Sequence, residues 1–469
     1  MERSTVKNMT AGSPMKLILQ FLLPLLLGML FQQFYNLMDT LIVGRFLGKE
    51  ALASVGGTGS INFMIIGFCM GVCNGFAIPV AQAFGAENHE ELRKYAANSI
   101  WLSMLFSVVT MGVVCILCRK ILFWMKTPAD IFEGSYDYIF VIFLGIPVVY
   151  LYNLISGILR SLGDSKTPLY FLFFSSVVNI LLDLFTVCVL HMGVAGAAWA
   201  TVISQGISGI LCLFYIRKKY PILRIQREEW RMDGRCMKHL CMMGIPMGLQ
   251  YSITAIGSVI LQTAVNSLGS TAVASITAGN KIGMFFCCPF DAMGSTMATY
   301  AGQNLGARKL DRITAGIKAC GMIAIGYSIL SGLILCIFGG NLASIFIKGK
   351  DQQIFHNAAI LLQCTSAFYI PLAFVNIVRF TIQGLGYGNL AMLAGVCEMI
   401  ARGAVGFLFV PLFGYIAACF AGPVAWVMAD LFLFPAYFFV LARLKRKQQA
   451  AFRMPEEVNA FETSKCQLP

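Results

Sequence analysis

Apolar runs of about 20 residues or more, each closed by a few polar residues, recur along this 469-residue chain. A run of that length crosses the hydrocarbon core of a bilayer as one helix. Only helices and closed barrels satisfy their own backbone there. This feature restricts the chain to an all-α integral membrane protein. Composition agrees: 58% of residues are hydrophobic and 12% charged, against about 25% charged in an average soluble domain, and a soluble core of this size could not hide so much apolar surface. The runs predict twelve transmembrane helices, at 17–44, 52–84, 95–118, 138–160, 168–190, 194–216, 240–267, 272–304, 314–339, 354–383, 390–411 and 415–441. The polar start, Met1 to Lys16, leads into a run too long for a cleavable signal, which reads as the first span.

Charge then sets the orientation. The net charge is +13, but 24 of the 35 Lys and Arg fall in one set of alternating segments and 7 in the other. The remaining four, Lys281, Lys318, Arg379 and Arg402, lie within spans. Basic residues mark the cytoplasmic side, so both termini are expected there. Aromatic-basic repeats are missing, which argues against a nucleic-acid partner. The sixteen cysteines form no framework. Cys115 and Cys118 have redox or zinc spacing but no matching pair, and they read as small buried hydrophobes.

Eight basic residues between Arg217 and Lys238 mark a hinge between halves. The expected division is a cytoplasmic N-terminus at 1–16, a six-helix bundle at 17–216, a basic connector at 217–239, a second bundle at 240–441 and a cytoplasmic tail at 442–469. The halves repeat. LGKEALAS from Leu47 matches LGSTAVAS from Leu268, a shift of 221. AQAFGA from Ala81 matches GQNLGA from Gly302, pairing Gln82 with Gln303 and Gly85 with Gly306 at the same shift. SLGDS around Gly163 resembles GLGYG around Gly386, at 223. Six helices per half is even, so the repeat is parallel, with its axis along the membrane normal.

Ionisable groups inside spans are expensive and mark function by default. Asp39 lies in the first span and Asp183 in the fifth, with Asn179 four residues before it on the same helical face. Thr201 lies in the sixth. Together they make an oxygen-only set suited to a proton or a hard monovalent cation, with nothing soft for a transition metal. The plainer alternative is that such an Asp merely pins a neighbouring helix. Glu398 and Arg402, four apart in span eleven, are spaced for an intrahelical ion pair, and a structural role weighs at least as heavily there as a substrate role. Asp291, Lys281, Arg379 and Asp430 carry no assignment. VGGTGSI near Gly56 lacks the Lys-Ser/Thr of a phosphate loop and reads as close helix packing.

These residues resemble a known family. The segment DTLIVGRFLGKEALASVG from Asp39, the paired AQAFGA and GQNLGA, and RSLGDSKTP from Arg160 to Pro168 together look like the multidrug and toxic compound extrusion (MATE) family. The resemblance covers about 17–441. It implies two six-helix bundles forming a V around a central cavity, and no cofactor. It implies export of a small organic cation or drug-like molecule by alternating access, in exchange for H+ or Na+. It places a cation site at Asp39, Asn179, Asp183 and Thr201, with Gln32, Asn36 and Asn153 lining the same lobe. It also implies a monomer in the inner membrane of a bacterium. One departure stands out. Some members carry an acid in helix seven after its proline, whereas PMGLQYSITAIG from Pro246 has none and Thr254 takes that position.

Two other functions compete. A flippase for a lipid-linked oligosaccharide would need a strongly cationic cavity, and few intramembrane Lys or Arg are available. An intramembrane protease could use two carboxylates, yet Asp39 lacks a matching Asp motif, and a twelve-span repeat suits alternating access better.

Overall fold

The computed structural model describes residues 7–346 and 352–465, apart from the side chains at 343–346 and 451–465. Parts of the expected N-terminal segment (1–6) and tail (466–469) lie outside the described residues. Among the described residues the elements are all helical. Among these residues, nine helices are long and apolar enough to span a membrane, and two bent pairs raise this to eleven. The pairs are Phe132–Leu144 with Ile146–Ser161, bent by 47°, and Gln352–Ser366 with Tyr369–Gly384, bent by 52°. Ser270–Gly306, at 37 residues, is long enough but more polar than the others. It packs against helices of both bundles, so less of its surface needs to be apolar.

Most spans follow the apolar runs, and the departures have local causes. The run at 52–84 is two helices, Lys49–Gly57 and Gly59–Gly85, separated at Thr58. The run at 95–118 extends to His89–Trp124 because the Asn88 side chain accepts the Glu91 N–H and caps a polar first turn. The last helix runs from Tyr415 to Lys465, well past its apolar stretch.

The repeat is visible in backbone detail. Gly48 and Gly269, of the matched LG motifs, have φ of +88° and +93°. Gly163 and Gly386 have φ of +78° and +88°. Left-handed backbone of this kind favours glycine, which explains why these motifs recur. The two bent pairs correspond, and so do two π-helical segments, Phe185–Val189 and Val405–Phe409.

The bundles meet tightly at one end. Helix Gly59–Gly85 lies along helix Gly234–Asn266, where a Cβ at Gly71 or Gly75 would strike the backbone at Met247 or Gly244. At the tip, a Cβ on Gly85 would meet the Gln303 carbonyl, and one on Gly306 the Gln82 carbonyl. The repeated glutamines cross over. Gln82 Nε2 of the first bundle donates to the Gly384 carbonyl at 2.9 Å, and Gln303 Nε2 of the second donates to the Ser161 carbonyl at 2.8 Å. The N-terminal segment wedges into the same end. Lys7 N–H donates to Leu162 O at 3.1 Å, and Met9 N–H donates to Gln303 Oε1 at 2.8 Å. Arg312 and Asn304 donate to the Met9 carbonyl, each at 3.3 Å.

A candidate ion-coupling site beside a cavity

The fifth-span helix Lys166–Leu184 carries Asn179 and Asp183 on one face, and its last turn passes into the π-helical segment at Phe185. Asp39 comes from Pro14–Phe46 and Thr201 from Gly193–Lys219. These helices pack together and bring the four residues into one cluster. Asn179 Nδ2 lies 3.4 Å from Thr201 Oγ1. Asp39 and Asp183 are electrostatic neighbours. Asp183 is fully buried and Asp39 is 9% exposed.

The oxygens of this cluster are short of donors. Among the described residues, neither carboxylate oxygen of Asp183 accepts a hydrogen bond, nor does Oδ1 of Asp39 or Oδ1 of Asn179. Among the described residues, no Lys, Arg or His stands among the electrostatic neighbours of the two acids. Buried acceptors are normally satisfied, and a buried charge is normally paired. Four orphaned oxygens and no local cation therefore fit an arriving proton or a monovalent ion held through oxygen.

Two tyrosines complete the cluster, and sequence reasoning missed both. Tyr35 Oη donates to Thr201 Oγ1 at 3.2 Å, and both acids lie within its electrostatic reach. Tyr138, from the first half of a bent pair, faces the same two acids. Tyr35 was legible in principle: it precedes Asp39 by four residues, which is one helical turn. Nothing in the local sequence pointed to Tyr138.

A cavity of about 190 Å³ adjoins the cluster. Gln32, Tyr35 and Asn153 line it from the first bundle, and Tyr251 and Ser295 close it from the second. Tyr35 is thus a wall shared by cavity and cluster. Asn36 does not line the cavity; it is exposed, and its carbonyl accepts the Thr40 hydroxyl at 2.8 Å. Asn153 lines the cavity and donates its Nδ2 back to Val149 O at 2.9 Å. Arg160, the last residue of the expected span 138–160, also lines the cavity. It lies in the last turn of Ile146–Ser161, the second half of a bent span.

The second bundle handles charge differently. Glu398 is buried between Arg379 and Arg402: Arg379 Nη2 pairs with Oε1, and Arg402 Nη2 with Oε2 at 3.3 Å. The i,i+4 pair expected from spacing is present and gains a second arginine from another helix. Arg402 also donates to the Thr254 carbonyl at 3.4 Å, so a guanidinium stands beside Thr254. Asp291 and Asp430 are electrostatic neighbours of Arg379. Among the described residues no cluster of three or more His, Cys, Asp or Glu could hold a metal ion, and both Cys115 and Cys118 are free thiols.

Comparison with known proteins identifies the family. The MatE family model matches twice, over residues 24–185 and 246–408, once in each bundle. The probable multidrug resistance protein YoeA of Bacillus subtilis (strain 168) is 30% identical over 377 residues, covering 78% of this chain and 80% of that one. Among solved structures, the crystal structure of MATE in complex with MaL6 superposes with a TM-score of 0.88 at 22% identity, over 95% of this chain and all of that one. The outward-facing conformation of a multidrug resistance MATE family transporter of the MOP superfamily superposes at 0.86 and 22%, over 93% and 98%. A fold shared over nearly the whole length, with one family match in each half, makes this chain a member of the MatE family.

Proposed function

We propose that the chain is a secondary transporter that exports small, drug-like organic molecules in exchange for an inward-moving H+ or Na+. The observation that carries this reading is the buried Asp39–Asp183 pair, with orphaned oxygens and no local cation, one shared tyrosine away from a cavity. The names of relatives such as the probable multidrug resistance protein YoeA support it. The coupling site is Asp39, Asn179, Asp183 and Thr201, and the cavity residues that take substrate include Gln32 and Asn153. The two bundles, 17–216 and 240–441, rock about the connector at 217–239, and one chain suffices.

With both termini cytoplasmic, the tight junction around Gln82 and Gln303 is the closed cytoplasmic gate. The cavity then belongs to an outward-open state. Binding of an ion to the acid pair and binding of substrate favour opposite-facing states, which is all that exchange requires. Tyr35 is placed to carry the effect, since a change at Thr201 or Asp39 moves a cavity wall.

Protons are the favoured ion, and sodium is the alternative. One pH unit corresponds to about 1.36 kcal/mol, a tenfold substrate gradient for one-to-one exchange. The test is uptake in proteoliposomes under separately imposed proton and sodium gradients. A proton gradient alone should drive transport, and Asp39→Asn or Asp183→Asn should stop it. Full transport by either variant at normal expression removes the site.

A further inference from the structure

The arginines within the membrane helices are treated unequally. Arg379 and Arg402 share Glu398. Arg160 has no carboxylate among the described residues: its electrostatic neighbours are Tyr152, Tyr251 and Cys73. Its one side-chain hydrogen bond runs from Nη2 to Asn74 Oδ1 at 2.8 Å, which holds the guanidinium plane in place. The nearest acid in the chain, Asp164, is turned away. Its Oδ1 accepts the N–H groups of Lys166 and Thr167 at 2.9 and 3.1 Å, and its Oδ2 accepts the hydroxyls of Thr167 and Tyr220.

Arg160 and Asn74 both line the cavity, together with Tyr251 and Ser295 of the opposite bundle. A guanidinium stays charged and presents five N–H donors in a flat fork that matches a carboxylate. Only one donor direction is used within the protein. A half-buried cation with open donors at a cavity wall calls for an anionic group from outside.

We infer that Arg160 is a specificity-determining residue that binds a carboxylate on the transported molecule. The preferred substrates are therefore zwitterionic or carboxylated drug-sized solutes rather than purely cationic ones. This rests on reading the cavity as the substrate path. The acid cluster around Asp39 and Asp183 then serves the ion, and Arg160, with Asn74 beside it, serves the substrate.

The test uses two dyes that differ at one group: rhodamine 110, a carboxylate, and rhodamine 123, its methyl ester. Binding to the purified full-length protein is followed by fluorescence anisotropy. Native protein should bind rhodamine 110 about tenfold more tightly than rhodamine 123, the scale of one charge-assisted hydrogen-bonded contact. Arg160→Gln should abolish the preference by weakening rhodamine 110 binding far more than rhodamine 123 binding, and Arg160→Lys should restore part of it. Equal affinity of the native protein for both dyes, binding of neither, or a loss for both dyes alike in Arg160→Gln overturns the inference. If the native protein shows the preference but moves neither dye in ion-energised vesicles, the export reading fails while the carboxylate site stands.

Discussion

In the first bundle, Asp39 and Asp183 are buried with no cation beside them among the described residues; in the second, Glu398 is clamped by Arg379 and Arg402. The backbone plans are nearly the same, down to the bent pairs and the π-helical segments that follow the acid-bearing helices. The difference therefore lies in side chains. One bundle leaves negative charge open to be neutralised by an ion that comes and goes. The other neutralises its own acid permanently. A duplicated fold has kept its geometry and divided its electrostatics.

The same chemical change should consequently have opposite effects in the two bundles. Asp39→Asn and Asp183→Asn should each reduce ion-driven transport to the level of empty vesicles. Thermal unfolding should stay as in the native protein or move upward, because an uncompensated buried charge has been removed. If either variant transports normally, the contrast between bundles collapses.

In the second bundle, Glu398→Gln should act first on stability. It leaves Arg379 and Arg402 without their shared carboxylate, and removing one partner of a buried ion pair costs about 3–5 kcal/mol. The expected result is a lowered unfolding temperature in detergent. A variant as stable as the native protein but unable to couple to the ion would place a coupling role in the second bundle as well.

A smaller effect tests the symmetry at the gate. Gln82→Ala and Gln303→Ala each remove one hydrogen bond between the bundles, worth about 1 kcal/mol. Hydrogen exchange of backbone amides near Ser161 and Gly384 should quicken about fivefold in each variant. Unequal responses would show that the N-terminal segment, which contacts Gln303 through Met9, makes the second crossing the stronger one.

The smallest effect is expected at Thr254→Ala. The Thr254 hydroxyl bonds to Gln250 O within its own helix, and Arg402 uses only the backbone carbonyl of Thr254, which alanine keeps. Transport should change by no more than about twofold. Loss of ion-driven uptake would move the coupling site out of the first bundle.

Much of this molecule was legible along the chain. Spans follow from apolar length, because the bilayer thickness fixes how many residues a crossing helix needs. The repeat follows from motif order, because Gly48, Gly163 and their partners must supply left-handed turns at corresponding places. Asp39, Asn179, Asp183 and Thr201 stood out because polar groups are scarce in such helices. What the sequence by itself could not determine was pairing between helices distant along the chain. Arg379 meets Glu398 across 19 residues, Gln303 meets Ser161 across 142, and Tyr138 comes within electrostatic reach of Asp39 from another helix. Arg160 was hidden for a related reason. An apolar run places it at a span boundary, and only the 47° bend and the closure of the second bundle turn it into the cavity wall. Local composition decides which segments enter the membrane. Whether a charge inside it is satisfied, and by what, depends on which helix lies beside it, and that is a property of the packed structure alone.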